Sequence, residues 1–197
     1  MKEHPVSLKS WEVNAILAGR KTQLRRVLTP QPEMVVDAGK HSTYSYRGSL
    51  YALNMYKDNS NILEKFPYGE KGTHLWVRES WSTHACFDDI PTQNLESSSI
   101  HYWADGPCQT GEKRPLILMP RWASRILLEI TNLRIERLND ISEADAIAEG
   151  MEADDEYCAE ENFSMQWTKL NGWSWKGWNA NPWVWVIDFC VVEGGES

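Results

Sequence analysis

No stretch of this 197-residue chain approaches the ~18–20 consecutive apolar residues that span a bilayer, and the opening Met1-Lys2-Glu3-His4-Pro5 lacks the apolar core of a secretory signal. A cytoplasmic protein with no membrane partner is the expectation. Cysteine is scarce. Cys86, Cys108, Cys158 and Cys190 form no Cys-x-x-Cys pair, and no histidine sits at ligand spacing from any of them, which argues against a structural zinc site. In a reducing compartment, in a chain long enough to need no staples, four scattered cysteines read as free thiols packed as small apolar groups. A phosphate-cradling glycine loop, His-Glu-x-x-His and Gly-x-Ser-x-Gly are all missing, which removes nucleoside-triphosphate hydrolysis and the commonest metallo- and serine-hydrolase chemistries. His74, His84 and His101 are dispersed, and an isolated histidine is more often a satisfied group than a ligand or base.

Positive charge is also in short supply, with a formal net charge of −8. The deficit is local. From Asp140 to Glu161 there are ten acids and no Lys or Arg, so the rest of the chain is slightly basic. Arg20, Lys21, Arg25 and Arg26 fall within seven residues, and Lys113, Arg114, Arg121 and Arg125 lie in a second stretch. If folding joins the two stretches they form one cationic face on an acidic protein.

Hydrophobic spacing gives the organisation. A helix is expected from about Trp11 to Ala18, capped by Ser10 and ended by Gly19. Thr22 to Leu28 alternates as a strand, with Thr22, Leu24, Arg26 and Leu28 on one face. Residues 31–66 are polar and Tyr-rich, with turn signals at 37–40 and 57–61, and read as an inserted hairpin or elaborated loop. Strands are expected at 74–81, 99–103, 125–138 (with a bulge or turn at Asn132) and 183–192. Ser142 with Asp145 signals the start of a helix closed by Gly150, and residues 151–172 read as an acidic loop leading into a helix. Strands dominate and the helices are short. The expected fold class is mainly β with peripheral helices (α+β), a small closed or nearly closed β-barrel in a single domain over residues 1–197.

Tryptophan is abundant, eleven residues against four Phe, and offers the largest face for stacking on a base. Most of these side chains are core filling; Trp183 and Trp185, on one strand face, are expected to pack inward. Trp122 stands apart because Arg121 and Arg125 flank it, setting a stacking group among phosphate-binding groups.

The run Gly19-Arg20-Lys21-Thr22-Gln23-Leu24-Arg25-Arg26 fits Gly-x-Lys-x-x-x-x-Arg. Together with Leu75-Trp76-Val77-Arg78-Glu79, Pro120 to Arg125, Ile141 to Gly150 and Asn181-Pro182-Trp183-Val184-Trp185, it resembles the ASCH domain family, and most nearly the larger, Trp-rich ASCH proteins common in phages and prophages. The resemblance implies a PUA-like β-barrel that binds RNA in a cleft beside the barrel. One bacterial branch of that family removes the acetyl group from 4-acetylcytidine with a Lys, a Thr and a Glu. On the shared motif the Lys falls on Lys21, the Glu on Glu149 and the Thr on Leu24, which cannot act as a nucleophile. Thr22, two residues earlier on the same strand face, is the substitute hydroxyl considered for catalysis, and Ser124 is a second.

Two functional classes follow. The first is a binding module for RNA, single-stranded nucleic acid or a modified nucleoside, in which Arg20, Lys21, Arg25, Arg26, Arg121 and Arg125 meet phosphates and Trp122 stacks on a base. The second is a hydrolase, either an amidohydrolase acting through Lys21 and Glu149 or a ribonuclease in which acids such as Glu79, Asp140 or Glu149 hold Mg²⁺ or Mn²⁺. Only the ribonuclease needs a divalent metal, and no other cofactor is expected. A third reading makes the acidic segment 140–161 a docking surface for a basic protein.

Overall fold

In a computed structural model of the chain, the residues described are 2–36, 43–47, 49–52, 66–95, 100–107 and 111–194. The elements in order are β1 (Glu3–Ser7), α1 (Ser10–Leu17), β2 (Gln23–Val27), β3 (Glu33–Val36), β4 (Thr43–Tyr46), β5 (Ser49–Ala52), β6 (His74–Arg78), β7 (Trp81–Ser82), β8 (His101–Tyr102), β9 (Ile126–Arg137), α2 (Glu143–Ala148), α3 (Ala159–Asn171) and β10 (Trp183–Gly194). Five of the strands form one mixed sheet in the order β1-β6-β9-β10-β2, in which β1 and β6 run parallel and the other neighbours antiparallel. β3, β4 and β5 make a separate three-stranded sheet inside the insertion expected at 31–66; the turns expected at 37–40 and 57–61 lie outside the described residues.

β10 explains why its sequence is almost continuously apolar. Trp183, Trp185, Ile187 and Phe189 pack into the main core with Val6, Val13, Ile16 and Leu24, while Val184 and Val186 face the other way, into a second core with Phe163 and Trp167 of α3. A strand covered on both faces has no use for polar alternation. Its pairing with β9 shifts register between Asp188 and Phe189, opposite Asn132 and Ile130, where the expected bulge lies.

Local chemistry sets the helix ends. α1 starts one residue earlier than expected: Lys9, not Ser10, is its N-cap, and the Glu12 carboxylate accepts the Lys9 N–H at 2.8 Å. Gly19, at φ +70°, ends the helix in the left-handed region. Ser142 caps α2 as expected, accepting the Asp145 N–H through its hydroxyl at 3.1 Å.

The sequence leads to a closed or nearly closed barrel, and the described strands form no closed sheet. β1 and β2 are the two edges of the five-stranded sheet and do not pair with each other, so the arrangement is α+β around an open sheet. Both edges nevertheless border one cleft, and Arg26 of β2 donates to the Ser7 carbonyl of β1 at 2.8 Å across the gap. No described helix is long and apolar enough to cross a membrane.

Candidate functional site

The cleft between β1 and β2 has a volume of about 840 Å³ and is walled on one side by the end of α3. That is room for a nucleotide, within the ~300–1,000 Å³ range of small-molecule sites. Its floor is set by the motif singled out in the sequence. Lys21 and Glu149 form an isolated antiparallel bridge, reinforced by the Thr22 N–H donating to the Ala148 carbonyl at 2.8 Å. This seam requires glycine at position 150, where φ is +88° and an added Cβ would lie 3.0 Å from Ala15 Cβ and 3.2 Å from Lys21 Cβ.

The Lys21 side chain is only 1% exposed. Its Nζ donates to Glu149 Oε2 at 2.6 Å and to the Glu149 carbonyl at 2.9 Å, with Glu12 Oε1 at 3.9 Å and the Trp11 ring centroid at 5.5 Å. Beside it Arg25 is fully buried, holding Glu149 Oε1 at 3.2 Å, Glu136, and the Gln23 amide oxygen, with Asp145 at 3.5 Å. Gln23 passes its own N–H groups to Asp145 at 2.9 Å and Asp188 at 2.6 Å, and Arg134 closes the network onto Asp145, Asp188 and Glu136. Burial opposes ionisation of Asp145, but its bonds from Gln23 and Ser142 and the charges of Arg134 and Arg25 hold its carboxyl below the ordinary value.

Lys21, Gln23 and Arg25 therefore share one strand face, and the residues between them do not. Leu24 is 1% exposed and belongs to the main core. Thr22 is exposed, and none of the described side-chain hydrogen bonds of Lys21 or Glu149 goes to its hydroxyl. Ser124 donates to the backbone carbonyls of Val77 and Ile126.

Above this floor the cleft is cationic. Lys9, Arg26, Arg47, Arg78 and Lys176 line it from five different parts of the chain, and none of their side chains has a carboxylate partner among the described residues. The lining acids, Glu12 and Glu149, are both buried and turned to Lys21. Arg78 lies over the Trp76 ring at 4.5 Å, and Arg47, at φ 49°, lies over the Tyr46 ring at 5.4 Å while donating to the Thr29 carbonyl at 3.2 Å. Trp11 and Tyr68 present partly exposed rings to the same space.

The second basic stretch does not join this face. Of residues 113–125, only Leu116 and Ile117 line the cleft. Arg114 is spent on the Phe87 and Ile90 carbonyls and lies over the Trp81 ring at 5.6 Å, and Lys113 sits 4.7 Å over the Trp103 ring. Arg125 is held by Glu79 at 2.9 Å and by Asp105 at 2.8 Å, over the Tyr102 ring at 4.0 Å. Burial pushes the Glu79 carboxyl up, only partly offset by Arg125. Arg121 pairs with Glu3 at 2.7 Å, and Trp122 is half exposed, edge-on to Trp81. Arg20 pairs with Glu152 at the surface, at 2.8 Å.

The acidic segment is largely occupied with folding. Glu143 accepts the first N–H groups of α3, from Ala159 at 2.8 Å and Glu160 at 3.0 Å. Glu161 accepts the Cys158 N–H at 3.0 Å, and Asp154 accepts the N–H groups of Glu156 and Tyr157 at 2.9 and 2.7 Å. With Asp145 and Glu149 in the buried network and Glu152 on Arg20, few of the ten acids are left for a partner. Glu79 and Glu149 face cations, and among the described residues no group of three or more His, Cys, Asp or Glu side chains is placed to hold a metal ion.

Among the cleft cations, sequence reasoning misses Lys9, Arg47, Arg78 and Lys176, and it also misses the rings of Trp11 and Tyr68. Arg78 carries a signal, alternating with Trp76 on the most regular strand; Arg47 and Lys176 lie in turns whose direction spacing does not give. No family model, curated protein or solved structure matches the chain.

Proposed function

We propose that this is a nucleic-acid-binding protein of the ASCH type, which takes a nucleotide of single-stranded RNA, or a modified nucleobase, into the cleft between β1 and β2. In this reading the five-stranded sheet is a PUA-like barrel left open at that cleft, between its edge strands β1 and β2. The observation that carries the proposal is the charge distribution: a chain of net charge −8 gathers five cations without carboxylate partners among the described residues on one nucleotide-sized cleft, beside the partly exposed rings of Trp11 and Tyr68. Phosphate affinity needs such a local footprint and not a basic protein. Arg26 and Arg78 meet phosphates, and Trp11 or Tyr68 stacks on the base. Lys21 and Arg25 act from beneath, fixing Glu149 in the floor. Fluorescence anisotropy with a labelled single-stranded RNA octamer and the same sequence as a duplex tests this. Tighter, salt-sensitive binding of the single strand is expected, and absence of binding at low salt overturns it.

A second reading, amidohydrolysis of an acylated nucleoside, is favoured by one observation, the buried Lys21–Glu149 contact at the cleft floor. It needs a nucleophile other than residue 24, and it requires 4-acetylcytidine turnover that is lost in Glu149→Gln.

A further inference from the structure

Trp173 is 85% exposed and Trp175 is 50% exposed, although burial of an indole is among the largest gains available to a side chain. They belong to the turn after α3, and that turn is not loosely held. Ser174 Oγ donates to the Asn171 carbonyl at 2.8 Å, the Gly177 N–H donates to the Ser174 carbonyl at 2.8 Å, and the indole N–H of buried Trp167 donates to the Lys176 carbonyl at 2.7 Å. Gly177 permits the close fold, since a Cβ there would come within 2.3 Å of the Gly172 carbonyl oxygen. The two exposed rings are thus mounted on a braced support.

The same turn is continuous with the cleft. Leu170, Asn171 and Lys176 line the cleft wall, and the Lys176 ammonium also lies 5.0 Å over the ring of Trp175, which is not part of that wall. One cation therefore stands between the cleft and an exposed aromatic face, as a phosphate-binding group stands between two stacked bases in single-strand recognition.

We infer that the ligand is a strand and not a free nucleoside: one nucleotide enters the cleft, the adjoining phosphate meets Lys176, and the next base stacks on Trp175, with Trp173 extending the platform. This rests on the reading of the cleft given above. A lysine that lines the cationic cleft and also lies over the exposed ring favours nucleic acid over an apolar protein segment as the occupant of the platform.

Labelled RNA of one, two, four and eight nucleotides, titrated against wild type, Trp175→Ala, Trp173→Ala/Trp175→Ala and Arg26→Glu, tests the inference, with thermal melts showing that the exposed-site variants stay folded. Affinity should rise steeply from one to four nucleotides, and loss of Trp175 should weaken the tetranucleotide roughly five- to a hundredfold while the mononucleotide changes less than about twofold. If the tetranucleotide binds, loses affinity in Arg26→Glu and keeps it in the double tryptophan variant, the platform is refuted and the cleft stands. If wild type binds none of the probes, both are refuted. Equal affinity for one and four nucleotides also overturns the inference, and would leave the exposed rings to a protein partner.

Discussion

Lys21 and Glu149, 128 residues apart in sequence, are joined twice, side chain to side chain at 2.6 Å and side chain to backbone carbonyl at 2.9 Å, inside a site that excludes almost all solvent. A buried charge is costly alone and tolerable only when paired and hydrogen-bonded. The pair therefore fixes the end of α2 to the start of β2, and with it the floor of the cleft.

Removing one partner should destabilise the fold. Glu149→Leu leaves Lys21 and Arg25 short of a counter-charge and is expected to cost about 3–5 kcal/mol in urea unfolding. Lys21→Met should cost less, because Arg25 remains 3.2 Å from the carboxylate. The double variant should be clearly better than the sum of the singles, since the buried Lys21 charge is gone with its partner and Arg25 keeps Glu136 and Asp145.

Glycine is needed at two positions for different reasons. Gly19 and Gly150 both have positive φ, but nothing lies within 4 Å of a Cβ at Gly19, whereas Gly150 is pressed against Ala15 and Lys21. Gly19→Ala should cost about 1 kcal/mol and Gly150→Ala about 2–3 kcal/mol, read from thermal or chemical denaturation.

The two perturbed carboxyls give opposite pH slopes. Asp145 is held below its ordinary 3.8 in the fold, so its contribution is complete above that value and is lost as pH falls through the lower folded value. Asp145→Asn should flatten the acid limb of the stability curve. Glu79 is raised above its ordinary 4.5, so its contribution is complete below that value and is lost as pH rises through the folded value. Relative to wild type, Glu79→Gln should gain stability as pH rises from about 4 to 7.

The second basic stretch should separate from the first in its effects. Arg125→Ala strands Glu79 in the interior and should cost about 2–4 kcal/mol, with RNA affinity unchanged where the protein is folded. Arg121→Ala breaks an exposed pair with Glu3 and should change stability by less than about 1 kcal/mol.

Regular alternation places β6, β9 and β10, and Trp183 and Trp185 pack inward as their spacing implies. Turn chemistry places Gly19 and Ser142. What alternation leaves open is which face of a short strand turns to a site and how far the core reaches along it: parity pairs Thr22 with Leu24, yet Thr22 is exposed and Leu24 is core, while Lys21, Gln23 and Arg25 at the alternate positions are all buried. The pairing of charges is the other gap. Nothing in the sequence around Arg125 announces Asp105 and Glu79 as its partners, and nothing in 140–161 announces that Glu143 caps a helix 16 residues on. Long-range partners decide whether a basic cluster is a binding face or a structural clamp, and local spacing does not contain them.

If the cations lining one cleft, contributed by separate elements, bind the phosphates of a single strand, reversing them one at a time must show it. The quantity to measure is the affinity of a labelled single-stranded RNA octamer for wild type, Arg26→Glu and Arg78→Glu across about 50–200 mM salt. Each reversal should weaken binding at least tenfold and lower the slope of log affinity against log salt by about 0.7 or more for each phosphate no longer neutralised. Unchanged affinity and slope in both variants would contradict phosphate binding in this cleft.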